Sequence, residues 1–230
     1  MRVGILGGTF DPPHVGHLLM ALDALDVLAL DRVVLVPAAT QPLKAGDVHS
    51  SAEHRLGMTR LLVADEPDLE VDAIEIERGG LSFTIDTLTQ FAVRSPGDER
   101  YLLVGADVAR TFSRWREPDA IQRLATVAVW RRGDDAGGRG GGGGGGGGEG
   151  SHGGVSPKAA DGALAWVSVP GRRIDVSSSE IRERVRTGRS IRGFVPEAVR
   201  EYIDAAGLYG ARHAASGSAR GRGEGRGRGI

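Results

Sequence analysis

The 230 residues include no cysteine, which excludes disulfides, thiolate-bound zinc and a cysteine nucleophile. No stretch approaches the ~20 consecutive apolar residues of a membrane span, and the first residues read as a strand, not as a charged, apolar leader. A cytoplasmic protein without a membrane partner is the expectation. A large net charge is also lacking: 29 Lys and Arg stand against 30 Asp and Glu, a formal charge of −1. That balance hides an asymmetry, because residues 211–230 carry five Arg and one Glu, +4, which leaves −5 for residues 1–210. The basic tail has no aromatic side chain on which bases could stack. It is therefore expected to be a solvated, disordered extension, and the only segment that nucleic acid could touch.

Glycine is plentiful, at 37 residues against a usual ~7% of a chain. The excess lies in residues 137–154, which are nearly all Gly, and in 216–230, where Gly alternates with Arg. Neither segment can bury enough apolar surface to offset the entropy of ordering it. The expected organisation is one domain over residues 1–210, with a flexible Gly-rich insertion at 137–162, followed by the disordered tail.

The rest of the chain is organised around Gly7-Gly8-Thr9-Phe10-Asp11-Pro12-Pro13-His14-Val15-Gly16-His17. An apolar run at residues 3–6 reads as a buried strand, and residues 18–30 keep helical spacing through Leu18, Ala21, Leu22, Leu25 and Leu28. Strand, glycine turn and helix together make an anion site, because glycines let backbone N–H groups approach phosphate and the helix N-terminus adds about half a positive charge. His14 and His17, three apart in the first turn, project toward the same loop and can donate to phosphate oxygens. The dinucleotide motif Gly-x-Gly-x-x-Gly is missing, and the next strand, residues 33–36, runs into Pro37 and not an acidic residue, which disfavours an oxidoreductase.

Further strands are expected within residues 69–76, with a break at Ala73-Ile74 taken as a bulge, and at 101–104, 126–130 and 163–169. Ser50 and Glu53 form a capping box for a helix running to about residue 64, and Thr84 or Asp86 caps another. Trp115 falls on the helix after residues 101–104, and Pro196 opens a last helix that Gly207 ends. This alternation predicts an α/β fold: a Rossmann-like, doubly wound parallel sheet with a small C-terminal helical part.

The first stretch resembles the (T/S)FDPxHxGH signature of the nucleotidyltransferase superfamily, and with Gly7-Gly8 it is most similar to the nicotinate-nucleotide adenylyltransferase family. Other segments agree with that likeness. His54-Arg55 and Met58 match HRxxM, and the run Ser82-Phe83-Thr84-Ile85-Asp86-Thr87-Leu88 matches SYTxDTL with Phe for Tyr. Gly105-Ala106-Asp107 matches GxD, Val176-Ser177-Ser178-Ser179-Glu180-Ile181-Arg182 matches ISSTxIR, and residues 195–209 match VPxxVxxYIxxxxLY. The resemblance implies transfer of an adenylyl group from ATP to nicotinate mononucleotide, with magnesium carried on the ATP.

It also implies roles. Gly7, Gly8, Thr9 and Phe10 would seat the nucleotide, while His14, His17, Lys44 and Arg182 would act on its phosphates with help from Ser177 and Ser178. Asp107 would take a ribose, and Thr84, Asp86, Trp115 and Arg116 would line the pyridine pocket. No carboxylate cluster is there to cage a metal. Asp11 with His14 and His17 matches a transition-metal triad only loosely. The rival readings are a pantetheine-phosphate adenylyltransferase or cytidylyltransferase, a non-catalytic nucleotide-binding protein, and an RNA-associated protein working through the tail. Homo-oligomers are compatible with all of them.

Overall fold

The structure, a computed structural model, describes residues 1–41, 50–132, 166–172 and 174–210. Lys44, the Gly-rich insertion and the Arg/Gly tail lie outside the described residues.

Six parallel strands form one sheet in the order β3-β2-β1-β4-β5-β6. They are β1 (Arg2–Gly8), β2 (Arg32–Pro37), β3 (Leu69–Val71), β4 (Glu99–Gly105), β5 (Thr126–Arg132) and β6 (Trp166–Gly171). β1 is central, paired with β2 through Ile5 opposite Val34 and with β4 through Ile5 opposite Leu102. Its interior residues are buried because helices cover both faces, so the run reads as continuously apolar and not as alternating.

The pleat still sorts side chains between two cores. Leu6, Val33, Leu35 and Leu103 face one layer, made by α1 (Val15–Leu28), α2 (Ala52–Leu62), α7 (Ser178–Arg186) and α8 (Glu197–Ala205) through Ala21, Met58, Ile181 and Ile203. Val3, Ile5, Val34, Val36 and Val104 face the other. There they meet Ile74 of α3 (Ile74–Arg78), Leu88 of α4 (Thr84–Arg94), Ala109 of α5 (Ala106–Ala109) and Ile121 of α6 (Pro118–Leu124). Each fully buried aliphatic side chain contributes about 1.5–3 kcal/mol.

The doubly wound parallel sheet is the predicted one, with local differences. β3 ends at Val71; the expected bulge at Ala73-Ile74 is the entry to helix α3, because the Asp72 carboxylate accepts from the Ile74 N–H at 2.8 Å and turns the chain. α2 is capped by Ser51, whose hydroxyl accepts from the His54 N–H, and not by Ser50, which turns inward to another partner. Neither Thr84 nor Asp86 caps α4: Phe83 holds the N-cap position, and no side chain bonds there. Trp115 lies just past a 3₁₀ turn at Phe112–Arg114, not on a helix. Pro196 is the N-cap residue of α8.

The chain winds outward from β1 to β3 and then returns to place β4 on the other side of β1. Where strand order reverses, the loops leaving the carboxyl ends of β1 and β4 diverge and leave a crevice between them. The described candidate residues of the loops after β1 and β4 stand at that edge.

Candidate active site

His14 is the N-cap residue of α1 and His17 stands in its first turn, so the pair is set by helix geometry alone. The His14 Nδ1 accepts from the Gly16 N–H at 3.2 Å, and the His17 Nδ1 accepts from the His14 N–H at 3.2 Å. The rings stack with centroids 3.8 Å apart and planes 30° from parallel. An Nδ1 that accepts carries no proton, so each neutral ring keeps its proton on Nε2 as a donor. Burial, with His14 only 8% exposed, lowers its pKa to about 4, so this ring is neutral at physiological pH.

The turn before the helix is shaped by Phe10, whose left-handed backbone (φ 53) tucks its ring inside, 4.9 Å from the ring of His17 and edge-on to it. Gly8 makes room: a Cβ there would stand 2.9 Å from the Phe10 ring. Gly16 does the same for His14, since its Cβ would stand 2.9 Å from Nδ1. Gly7 is exposed, and nothing lies within 4 Å of a Cβ placed on it.

α7 docks onto this loop. Ser178 donates to the Pro12 carbonyl at 2.8 Å, and the Arg182 guanidinium donates to the Asp11 carbonyl at 2.8 Å and to Ser179 Oγ at 3.2 Å. Ser177 is the N-cap, accepting from the Glu180 N–H at 3.2 Å. The start of α7 thus bonds to the loop that leads into α1, two to three residues before His14.

A second cluster lies across the crevice. The Arg116 guanidinium sits 5.0 Å from the centre of the Phe83 ring and 3.8 Å from Asp86 Oδ2, which offsets part of its charge. Half-buried Trp115 packs 5.2 Å from Phe112 and donates to Thr111 Oγ1 at 3.2 Å. Thr84 is the first helical residue of the uncapped α4 start. Asp107, at the end of β4, is exposed and 3.5 Å from Arg110.

Sequence reasoning missed what fastens these loops. Arg55, matched in the sequence only as part of HRxxM, is 1% exposed and donates to the carbonyls of Thr9 (2.8 Å) and Ala39 (3.0 Å). Burial lowers its pKa below that of a free guanidinium, and the charge of nearby Asp11 opposes only part of that shift. The Ala39 N–H donates to Ser82 Oγ at 2.9 Å, and the Ser82 N–H to the Thr40 carbonyl at 2.8 Å. One chain of bonds therefore runs from the signature loop to the start of α4. The signal was present in the spacing, since Arg55 shares the buried face of α2 with Met58 and Leu62. Asp11, 2% exposed, accepts from Ser50 Oγ, which the sequence assigned to a helix cap, and from the phenol of Tyr209. Burial, reinforced by that bond, pushes the Tyr209 phenol above its usual 10, so it remains a donor.

Residues 5–184 match the family model described as cytidylyltransferase-like. A Gemmatimonas aurantiaca protein named "Probable nicotinate-nucleotide adenylyltransferase" is 46% identical over 209 residues, covering 91% of this chain and 92% of that one. The chain belongs to the nicotinate-nucleotide adenylyltransferase family. A second relative of the same name, from Geobacillus kaustophilus, is 39% identical over 212 residues, covering 92% of this chain and 87% of that one. Among solved structures, the Plasmodium falciparum nicotinic acid mononucleotide adenylyltransferase complexed with NaAD superposes with a TM-score of 0.66. At 16% identity over 90% of this chain and 97% of that one, it attests the fold of this family member. Among the described residues no helix is long and apolar enough to cross a membrane.

Proposed function

We infer that this chain, as a nicotinate-nucleotide adenylyltransferase, transfers the adenylyl group of ATP to nicotinate mononucleotide, giving nicotinate adenine dinucleotide and pyrophosphate. The observation that carries the reading is the docking of α7 onto the signature loop: Arg182 on the Asp11 carbonyl and Ser178 on the Pro12 carbonyl bring both anion-binding helix starts to one place.

A phosphate oxygen of the mononucleotide attacks the α-phosphorus of ATP, and the bond to the bridging oxygen breaks with its electrons leaving on pyrophosphate. The attacking phosphate is already ionised near pH 7, its second pKa lying near ~6, so no general base is needed. What remains for the protein is alignment and stabilisation of charge on the transferring oxygens. We assign the Nε2–H donors of His14 and His17 to those oxygens, with Arg182 holding the phosphate chain beside Ser177, Ser178 and the α7 N–H groups. Lys44 is assigned the same task from outside the described residues. Gly7, Gly8, Thr9 and Phe10 seat the nucleotide, and Asp107 accepts from a ribose hydroxyl. Thr84, Asp86, Trp115 and Arg116 frame the pyridine ring. Because Asp86 offsets Arg116, the uncapped N–H groups of α4 supply the better match to a carboxylate.

Among the described residues no group of three or more His, Cys, Asp or Glu side chains is placed to hold a metal ion. We propose that magnesium enters as part of its ATP complex, and that residues 1–210 form one cytoplasmic catalytic domain.

The test offers ATP with nicotinate mononucleotide or its amide and measures pyrophosphate. Release with the acid, and slower release with the amide, is the expected outcome. ATP binding without any pyrophosphate would leave a nucleotide-binding protein and overturn the assignment.

A further inference from the structure

After α8, Gly207 (φ 62) turns the chain into a single 3₁₀ turn, Leu208–Gly210, in which Tyr209 adopts φ 56 and ψ 22. Bulky residues avoid this left-handed region unless their surroundings hold them there. The Tyr209 phenol reaches back across 198 positions of sequence to donate to Asp11 Oδ1 at 2.6 Å. The Ser50 hydroxyl donates to the same oxygen at 2.5 Å and lies 3.4 Å from the phenol. The residue before Asp11, Phe10, is left-handed as well, with φ 53. Strained aromatic residues therefore stand on both sides of one part-buried hydrogen bond at the loop that leads to the histidines.

We propose that Tyr209 is a positioning residue for adenylyl transfer: with Ser50 it clamps the Asp11 carboxylate and so fixes the loop that presents His14 and His17. The proposal rests on the adenylyl-transfer reading. Asp11 is where three remote elements meet, because its carboxylate takes Tyr209 from the C-terminal turn and Ser50 from the approach to α2, while its carbonyl takes Arg182 from α7. The phosphate-facing donors begin three residues later, at His14. Reacting groups displaced by about 1 Å can cost ~10²-fold in rate, so a loop released at Asp11 loses turnover while the pyridine pocket, built on α4 and the turn at Trp115, is left unaltered.

Tyr209→Phe keeps the ring and removes the donor. The expected result is a folded protein with kcat lowered about tenfold and KM for nicotinate mononucleotide within about twofold of the parent. Ser50→Ala, which leaves Tyr209 in place, lowers kcat in the same way, and the double variant falls about a hundredfold. If Tyr209→Phe does not fold, Ser50→Ala decides alone. Tyr202→Phe is the control: it loses a 3.0 Å contact with His54 of α2 and keeps parental kinetics. A lower melting temperature with kcat and both KM values unchanged in the Tyr209 and Ser50 variants makes the clamp structural only and overturns the proposal. A parent chain that releases no pyrophosphate overturns the adenylyl-transfer reading and this role with it. An active parent with unaltered variants overturns the role alone.

Discussion

His17 accepts the backbone N–H of His14 on its Nδ1 at 3.2 Å, so one catalytic candidate helps to cap the helix that the other begins. The bond assigns the tautomer. It also separates two jobs within one ring: Nδ1 holds the helix start, and Nε2 is the donor.

Two substitutions separate those jobs. His17→Ala loses both, so turnover should fall ~10²- to 10³-fold and stability by about 1 kcal/mol. In His17→Asn the amide oxygen overlays Nδ1 but nothing overlays Nε2. Its denaturation midpoint should match the parent while turnover stays at the level of the Ala variant. Recovery of turnover in the Asn variant would show that Nε2 does not act on the phosphates.

Burial lowers the His14 pKa from 6.5 to about 4, and this sets a stability profile in acid. As pH falls below 6.5 the unfolded chain takes up a proton that the folded chain refuses, so stability present above pH 6.5 is lost progressively down to about pH 4. The full loss is about 3 kcal/mol. Denaturant titrations across this window should show the slope, and His14→Gln should flatten it.

The two glycines of the loop should respond differently. Gly8→Ala drives a Cβ to 2.9 Å from the buried Phe10 ring, which has a fixed backbone and nowhere to move, so a cost of about 1–3 kcal/mol is expected. Gly7→Ala meets no atom of the described residues beyond its chain neighbours within 4 Å and should fold within about 0.5 kcal/mol of the parent. If the nucleotide lies against Gly7, that variant raises KM for ATP. An unchanged KM would move the nucleotide away from this backbone.

Arg182 makes two divergent bonds, to the Asp11 carbonyl and to Ser179. A lysine cannot reproduce that fork. Arg182→Lys should recover less than a tenth of what Arg182→Ala loses in kcat/KM, with stability changed by ~1 kcal/mol at most because the side chain is half-buried. Full activity in the lysine variant would reduce Arg182 to a point charge.

Asp107 and Arg110 are 76% and 72% exposed at their side chains, so breaking their pair should change stability by less than about 0.5 kcal/mol. Asp107→Ala should instead raise KM for ATP several-fold with kcat nearly intact, as loss of a ribose contact requires. Unaltered ATP kinetics would leave Asp107 as a surface acid.

The sequence alone determined the elements whose partners are near neighbours. His14, His17 and Ser177 are set by contacts two or three residues away, and the buried strands by unbroken apolar runs, so the parallel sheet and both helix starts were legible. Local signals also misled where they competed. Ser50 offered a cap to α2, but the buried Asp11 carboxylate draws it inward and Ser51 caps the helix instead. Tertiary structure alone placed Arg55 between the carbonyls of Thr9 and Ala39 and the Tyr209 phenol on Asp11. The physical reason is range: a cap or a helical face is set by bonds within one turn, whereas a contact spanning 198 residues exists only after the sheet has brought both ends of the chain to the same edge.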